Sequence, residues 1–175
     1  MTGERRHFID PEKWRVLLST ISGWFRPLRW HTVVRDDLGL RIELPGRPVI
    51  DTEPDYDEDG TEYTVTTVGT VVGDLCIELS YVPLFRRMDF EAFIERYESD
   101  MTELLRLPFL GRQSLSWHGH PAADLAYGAP GHYVLIRYIT TRMATIGVTA
   151  SDRVPVLESP VVRRVLDSLV PLRAL

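Results

Sequence analysis

Between Arg112 and Ala150 the chain repeats one arrangement four times: a run of strand-forming residues, then a turn signal. The runs are Arg112–His118, Ala122–Tyr127, His132–Thr140 and Arg142–Ala150, punctuated by Gly119, by Gly128 to Gly131 and by Asp152. Strands joined so tightly pair as antiparallel hairpins, because parallel pairing needs a long crossover. Upstream, Leu38, Leu40, Ile42 and Leu44 alternate with Gly39, Arg41 and Glu43, a half-buried strand that ends at Pro45-Gly46. Glu62–Val72, rich in Thr, Val and Tyr, and Asp74–Val82, with Leu75, Ile77, Leu79 and Tyr81 at every second place, read as two more. Gly73-Asp74 between them signals a tight turn.

Three segments switch to helical spacing. Asp10-Pro11-Glu12 gives an N-cap, a first-turn proline and a first-turn acid. Trp14, Leu18, Ile21, Phe25 and Leu28 then form a stripe, with Leu17 and Trp24 beside it. Gly23 and Pro27 weaken its far end, so the helix is expected to stop between Trp24 and Arg26. Residues 27–37 read as a link with a short strand at His31–Arg35. Asp89 caps a second helix over residues 88–106, whose face is Phe90, Phe93, Ile94, Tyr97, Met101, Leu104 and Leu105, and Pro108 ends it. The third runs over Glu158–Leu169. The predicted fold class is α+β: an antiparallel sheet of six or seven strands packed between helices, with an extra N-terminal amphipathic helix. The predicted division is an appendage over residues 1–37 and a domain over 38–175.

A chain of 175 residues can bury a full core without staples, and its single cysteine, Cys76, permits no internal disulfide. The net charge of −5 argues against a nucleic-acid partner. That charge is uneven. Residues 1–35 hold seven basic side chains against three acids, a balance of +4, which leaves −9 on the rest. No apolar run is long enough to cross a bilayer, and VLLSTISGWF lacks a cleavage site after it. The expected location is the cytoplasm, with peripheral membrane contact through residues 10–30 as a second reading.

The order of elements resembles a known family. Leu40–Pro48, LRIELPGRP, is similar to the opening strand of PsbP-like domains, which runs into Pro-Gly-x-Pro. Trp117-His118-Gly119-His120-Pro121 and the following Ala122–Leu125 look like that family's Gly-x-Pro-Gly-x-Glu hairpin, with Ala123 in place of the second glycine and Asp124 or Leu125 near the acid. His132–Ile139, Met143–Val148 and Val165–Leu169 resemble its closing motifs, and Ser168 stands at its near-terminal serine. Residues 38–172 are thus identified as resembling a bacterial member of the PsbP-like (Mog/PsbP/DcrB-type) family. The resemblance implies an α-β-α sandwich around an antiparallel sheet. It implies a binding module: the family includes photosystem extrinsic subunits, a Ran-binding nuclear-transport protein and bacterial chaperones of secreted effectors. It implies no shared catalytic set.

The residues themselves offer few chemistries. Asp55, Asp57, Asp59 and Gly60 start like a calcium-binding loop. Its twelfth position, however, is Thr66 rather than a bidentate acid, and the flanks are strands. A solvated hairpin turn is the expected reading. His118 and His120, two apart, would share a strand face as a metal pair, but a zinc site needs a third ligand, and hairpin-edge histidines are expected. No nucleophile elbow and no phosphate loop is present, and no cofactor is expected. Arg86-Arg87 and Arg163-Arg164 read as solvated basic doublets.

The N-terminal segment is the most suggestive feature, with Trp14, Trp24 and Trp30 in the first 30 residues. It suits packing on its own domain, docking on a protein, or lying on an anionic membrane. The functional expectation is a non-catalytic binding, scaffold or accessory module that meets another protein, as a subunit of a complex, through Trp14, Leu18, Ile21, Trp24 and Phe25. An adaptor chaperone shielding apolar helices and a metal-dependent hydrolase built on His118 and His120 are the alternatives.

Overall fold

The computed structural model describes residues 28–56, 60–83 and 89–172. The predicted N-terminal helix, with Trp14, Leu18, Ile21, Trp24 and Phe25, lies outside the described residues, as do Asp57, Asp59, Arg86 and Arg87.

Ten strands dominate. They are β1 Trp30–Arg35, β2 Leu40–Pro45, β3 Val49–Tyr56, β4 Glu62–Val72, β5 Leu75–Pro83, β6 Phe109–Trp117, β7 His120–Ala129, β8 His132–Thr140, β9 Ala144–Asp152 and β10 Val170–Pro171. The α-helices among the described residues are α1 Phe90–Leu105 and α2 Pro160–Ser168, with a 3-10 turn at Val156–Glu158. All strand pairs are antiparallel, in a small sheet ordered β1-β2-β10 and a seven-stranded sheet ordered β3-β4-β5-β9-β8-β7-β6.

This corrects the predicted fold class. The described chain is mostly β, in two sheets, and not a six- or seven-stranded α+β sandwich carrying an N-terminal helix. The sequence reading undercounted strands for a physical reason. Residues 49–56 hold Asp51, Glu53, Pro54 and Asp55, which look like turn chemistry, yet they form an edge strand. An edge has one unpaired side, so it tolerates proline and charge that a central strand rejects.

The turns follow their residues. Trp117 pairs with His120 across a two-residue turn in which His118 and Gly119 both have positive φ, 48° and 85°. That is the mirror-image geometry suited to the strands' twist. Asp89 caps α1 by accepting from the Ala92 N–H at 3.2 Å, and Arg106 closes it in the left-handed conformation, φ 53°.

The seven-stranded sheet has two faces. Its inner face meets the small sheet and α2: Val68, Ile77, Leu79, Ile139, Ile146 and Val148 pack with Leu40, Ile42 and Leu44 of β2 and with Val162, Val165 and Leu166 of α2. Three polar ties fix this layer. Trp117 Nε1 donates to the Leu169 carbonyl at 2.9 Å. Ser168 Oγ accepts from the Glu43 N–H at 2.8 Å. Arg164 pairs with Glu43 at 2.8 Å and lies 3.9 Å over the Trp30 ring. The outer face meets α1, where Ile94 and Met101 pack on Ala123, Leu125 and Tyr127 of β7 and on Val134, Ile136 and Tyr138 of β8.

Candidate functional site

Helix α1 packs on only half of the outer face, and the other half is not open surface: Thr67, Gly69, Thr145 and Gly147 there are buried, and Glu78, Ser80 and Thr149 half-buried. The buried residues that meet α1 belong to β7 and β8, with Phe109 of β6 at their margin, and none comes from β9, β5, β4 or β3. Strand alternation turns a different set outward on this second half: Gly147 and Thr149 of β9, Glu78 and Ser80 of β5, Thr67 and Gly69 of β4, and Asp51, Glu53 and Asp55 of β3. The apolar members of the same strands, such as Ile77, Leu79, Ile146 and Val148, point inward and hold these strands by core packing. The outward surface is therefore free to be small and polar.

Glu78 is its chemical centre. Across the strands it faces Thr149 on one side and Gly69 on the other. Burial raises its carboxyl from 4.5 to about 7, so the group is half protonated near neutrality. An aromatic cluster forms the boundary with the covered half. Tyr97 of α1 and Tyr138 of β8 lie 4.3 Å apart between ring centroids, and Phe93 meets Tyr138 edge-on at 5.8 Å. Burial holds the Tyr138 phenol well above its ordinary range, with smaller pushes from Tyr97, Tyr127 and Glu78. The Tyr138 ring reaches across Gly147. A Cβ there would sit 2.8 Å from Ser80 Oγ and 3.3 Å from Tyr138 Cε1, so the strand needs glycine for this contact. At the end of the same face Thr140 and Thr145 oppose each other, 8% and 7% exposed, and neither hydroxyl has a hydrogen-bond partner among the described residues. Unpaired buried hydroxyls are costly, which makes them markers for a missing partner.

This arrangement can receive a polar or cationic group. It offers a carboxyl, spare hydroxyls and the edge of an aromatic wall. Among the described residues it shows no positioned nucleophile and no acid–base pair. Cys76, half-buried on β5, belongs to the same outward face.

The sequence-predicted site residues fall elsewhere. Asp55 ends β3, where its carboxylate accepts from the Tyr56 N–H at 2.8 Å and the Tyr63 hydroxyl at 2.6 Å. It works there as a hairpin device. His118 occupies the β6–β7 turn and His120 starts β7, so the two do not share a strand face. Both rings pack beside Trp117, at 4.9 and 6.2 Å between centroids. Among the described residues no three His, Cys, Asp or Glu side chains gather as a metal cluster. Arg164 of the basic doublet is tied to Glu43. Asp124 of the family-like hairpin makes a two-pronged pair with Arg137, at 2.7 and 2.8 Å, on the inner face. Glu78, Thr140 and Thr145 were not singled out from sequence. The available signal was a lone carboxylate between Cys76 and Ser80 on the polar side of a central strand.

No known family's sequence pattern matches the chain, and no curated protein does. Solved structures do. CyanoP, the cyanobacterial PsbP of Synechocystis, superposes with a TM-score of 0.59 at 10% identity, covering 86% of this chain and 97% of its own. The PsbP-like fold is thereby shown; membership of the bacterial family is not. A Pseudomonas aeruginosa protein of unknown function, described as a putative regulator, covers 70% of this chain and 82% of its own at 16% identity, with a TM-score of 0.36. That value is too low to carry an argument. Among the described residues no helix is long and apolar enough to cross a membrane.

Proposed function

We propose that this protein is a non-catalytic accessory module that binds another protein. The contact elements are the exposed rim of the outer face beyond α1, with Asp51 and Glu53 of β3, and the N-terminal aromatic segment with Trp14, Leu18, Ile21, Trp24 and Phe25. The observation that carries the reading is the half-face beyond α1, a largely polar floor around the half-buried Glu78 next to the Phe93–Tyr97–Tyr138 wall. The PsbP-like fold supports an accessory role in general terms. A partner would bring basic side chains to Glu78 and the acids of β3, and fixed charge would set its register more than its affinity.

The test is affinity capture from the native host with four full-length baits: the natural chain, Thr149→Arg on the half-face, Leu18→Glu on the segment, and Leu157→Glu as a control on the opposite side. The expected result is a partner held by the natural chain and the control and lost by the other two. A partner held equally by all four baits, or by none, would overturn the proposal.

A further inference from the structure

Strand β1 is the outer strand of the small sheet, and among the described residues no strand pairs with its free edge. We propose that this edge is a contact between two copies of the chain. The copies join β1 to β1, antiparallel about a two-fold axis at Thr32, so that their small sheets become one continuous sheet. The contact lies in the layer that packs on the inner side of the seven-stranded sheet, away from the half-face read above as a partner surface.

The phase of the β1–β2 ladder fixes which backbone groups face that edge. The Gly46 N–H donates to the Arg29 carbonyl at 2.7 Å, one step beyond the paired residues Trp30 and Pro45. Bonded pairs recur at every second residue of an antiparallel ladder. Arg29, His31, Val33 and Arg35 therefore turn their N–H and C=O groups toward β2, and Trp30, Thr32 and Val34 turn theirs away. Strand β2 agrees with this phase. The Glu43 N–H, opposite Thr32, points away from β1 and meets Ser168 Oγ at 2.8 Å. A row of outward backbone groups is a template for another strand.

The other free edges are guarded against such pairing, and this one is not. Strand β3 carries Asp51, Glu53, Pro54 and Asp55. Strand β6 is interrupted by a bulge between Phe109 and Gly111, and Arg112 follows it. Strand β10 ends after two residues, the second a proline. Strand β1, WHTVVR, runs for six residues with no proline, glycine or bulge. Arg35 at its end is neutralised by Asp37, at 2.9 and 2.6 Å. Val34, a β-branched apolar side chain beside the outward backbone groups, is 49% exposed.

The strand is complementary to itself. With Thr32 facing Thr32 of the partner subunit, Trp30 faces the partner's Val34 and Val34 faces the partner's Trp30, and each of these pairs exchanges two hydrogen bonds. No outward group of the three residues is left over. The side chains suit the same register. Trp30, Thr32 and Val34 alternate with Val33, which is buried in the core, and so share the opposite face of the strand. Pairing lays each indole beside a valine and brings the two threonines together, cross-strand pairs that favour antiparallel association. The Trp30 ring is already held by the Arg164 guanidinium, 3.9 Å from its centroid and tied to Glu43, so little freedom is lost on contact. The like-charge meeting is Arg35 with the partner's Arg29, and Asp37 on Arg35 offsets it.

Sedimentation equilibrium of the full chain, from low micromolar to near-millimolar concentration, tests this. The expected result is a mass that rises from one chain toward two. Thr32→Pro removes an outward N–H without touching the β1–β2 ladder, and Val34→Lys sets a charge on the edge. Each should hold the mass at one chain with the far-ultraviolet spectrum unchanged, and Val34→Lys alone decides if the proline variant does not fold. Ser114→Lys on the β6 edge should dimerise like the natural chain. Oxidation in a Cys76→Ser background reads the register. Thr32→Cys brings two thiols within disulfide reach across the axis, and Val34→Cys does not. A covalent dimer is expected from the first and not from the second. A chain that stays single at the highest concentration overturns the proposal. So does a dimer that survives Val34→Lys, or one that crosslinks as readily through position 34, since the copies would then meet on another surface or in another register.

Discussion

The two halves of the outer face share one sheet, one hydrogen-bond ladder and one inner core, yet they differ in what stands on them. The β6–β8 half carries Leu125, Tyr127, Val134 and Ile136 under α1. The β9–β3 half carries Thr, Gly, Ser and acids, with Val49, Val65, Val71 and Tyr63 among them. The difference teaches that one sheet can confine the apolar burial that holds a helix to one area of its surface and leave a largely polar area beside it. The covered half excludes water and holds α1 by apolar burial. The other half is held from beneath by Ile77, Leu79, Ile146 and Val148, so its outward side chains are released from packing duty.

The largest expected effect separates the halves directly. Ile94, fully buried between α1 and the sheet, should cost about 2–5 kcal/mol when replaced by alanine. Thr149→Ala on the polar half should cost less than about 0.5 kcal/mol. Urea unfolding of the two variants gives both numbers. Similar losses at the two positions would end the division of labour argued here.

Gly147→Ala comes next, because it strikes the boundary. A new Cβ would meet Ser80 Oγ at 2.8 Å and Tyr138 Cε1 at 3.3 Å. Ser80 can rotate, but the Tyr138 ring is packed by Phe93 and Tyr97. A loss of about 1–3 kcal/mol is expected from overpacking, accompanied by a change in the near-ultraviolet tyrosine signal. An unchanged aromatic signal would show that the ring does not lie across this strand.

Glu78→Gln probes the polar half through pH. Burial raises the carboxyl from 4.5 to about 7 in the folded chain. Below pH 4.5 both states are protonated. Between pH 4.5 and 7 the folded chain keeps a proton that the unfolded chain has released, so stability falls as pH rises through that window and stays lower above it. Glutamine abolishes the fall. The variant should match the natural chain at pH 4 and exceed it by about 3 kcal/mol at pH 8, in parallel urea titrations. A difference that does not grow with pH would mean that Glu78 is well solvated, and the half-face would lose its centre.

Much of this was legible in the sequence, and the remainder was not for definable reasons. Hairpins announced themselves through Gly73-Asp74, His118-Gly119 and Pro130-Gly131, where turn geometry is local chemistry. The capping of α1 by Asp89 was equally local. Strand β3 was missed because Pro54 and three acids are permitted only by its edge position, which is a property of the assembled sheet. Glu78 was missed for a related reason. Alternation tells that it opposes Leu75, Ile77 and Leu79, but not that α1, which follows β5 in sequence, crosses to cover β6, β7 and β8 instead. Strand order β5-β9-β8-β7-β6 decides that, and no window of the sequence contains it.

The smallest effect is expected at the tip of the covered half, with the opposite sign. His118 sits at φ 48°, a conformation that costs most residues energy and suits asparagine. His118→Asn creates the Asn-Gly pair preferred in such a turn, and should stabilise the fold by about 0.5 kcal/mol after some loss of ring contact with Trp117. Zinc makes the measurement decisive. If His118 and His120 serve the turn, stoichiometric zinc leaves the unfolding midpoint of both proteins unchanged. A zinc-dependent rise in the natural chain that disappears in the variant would instead make the hairpin a metal-binding element. Function would then belong to the covered half as well, and the contrast between the two halves would no longer be one of support against recognition.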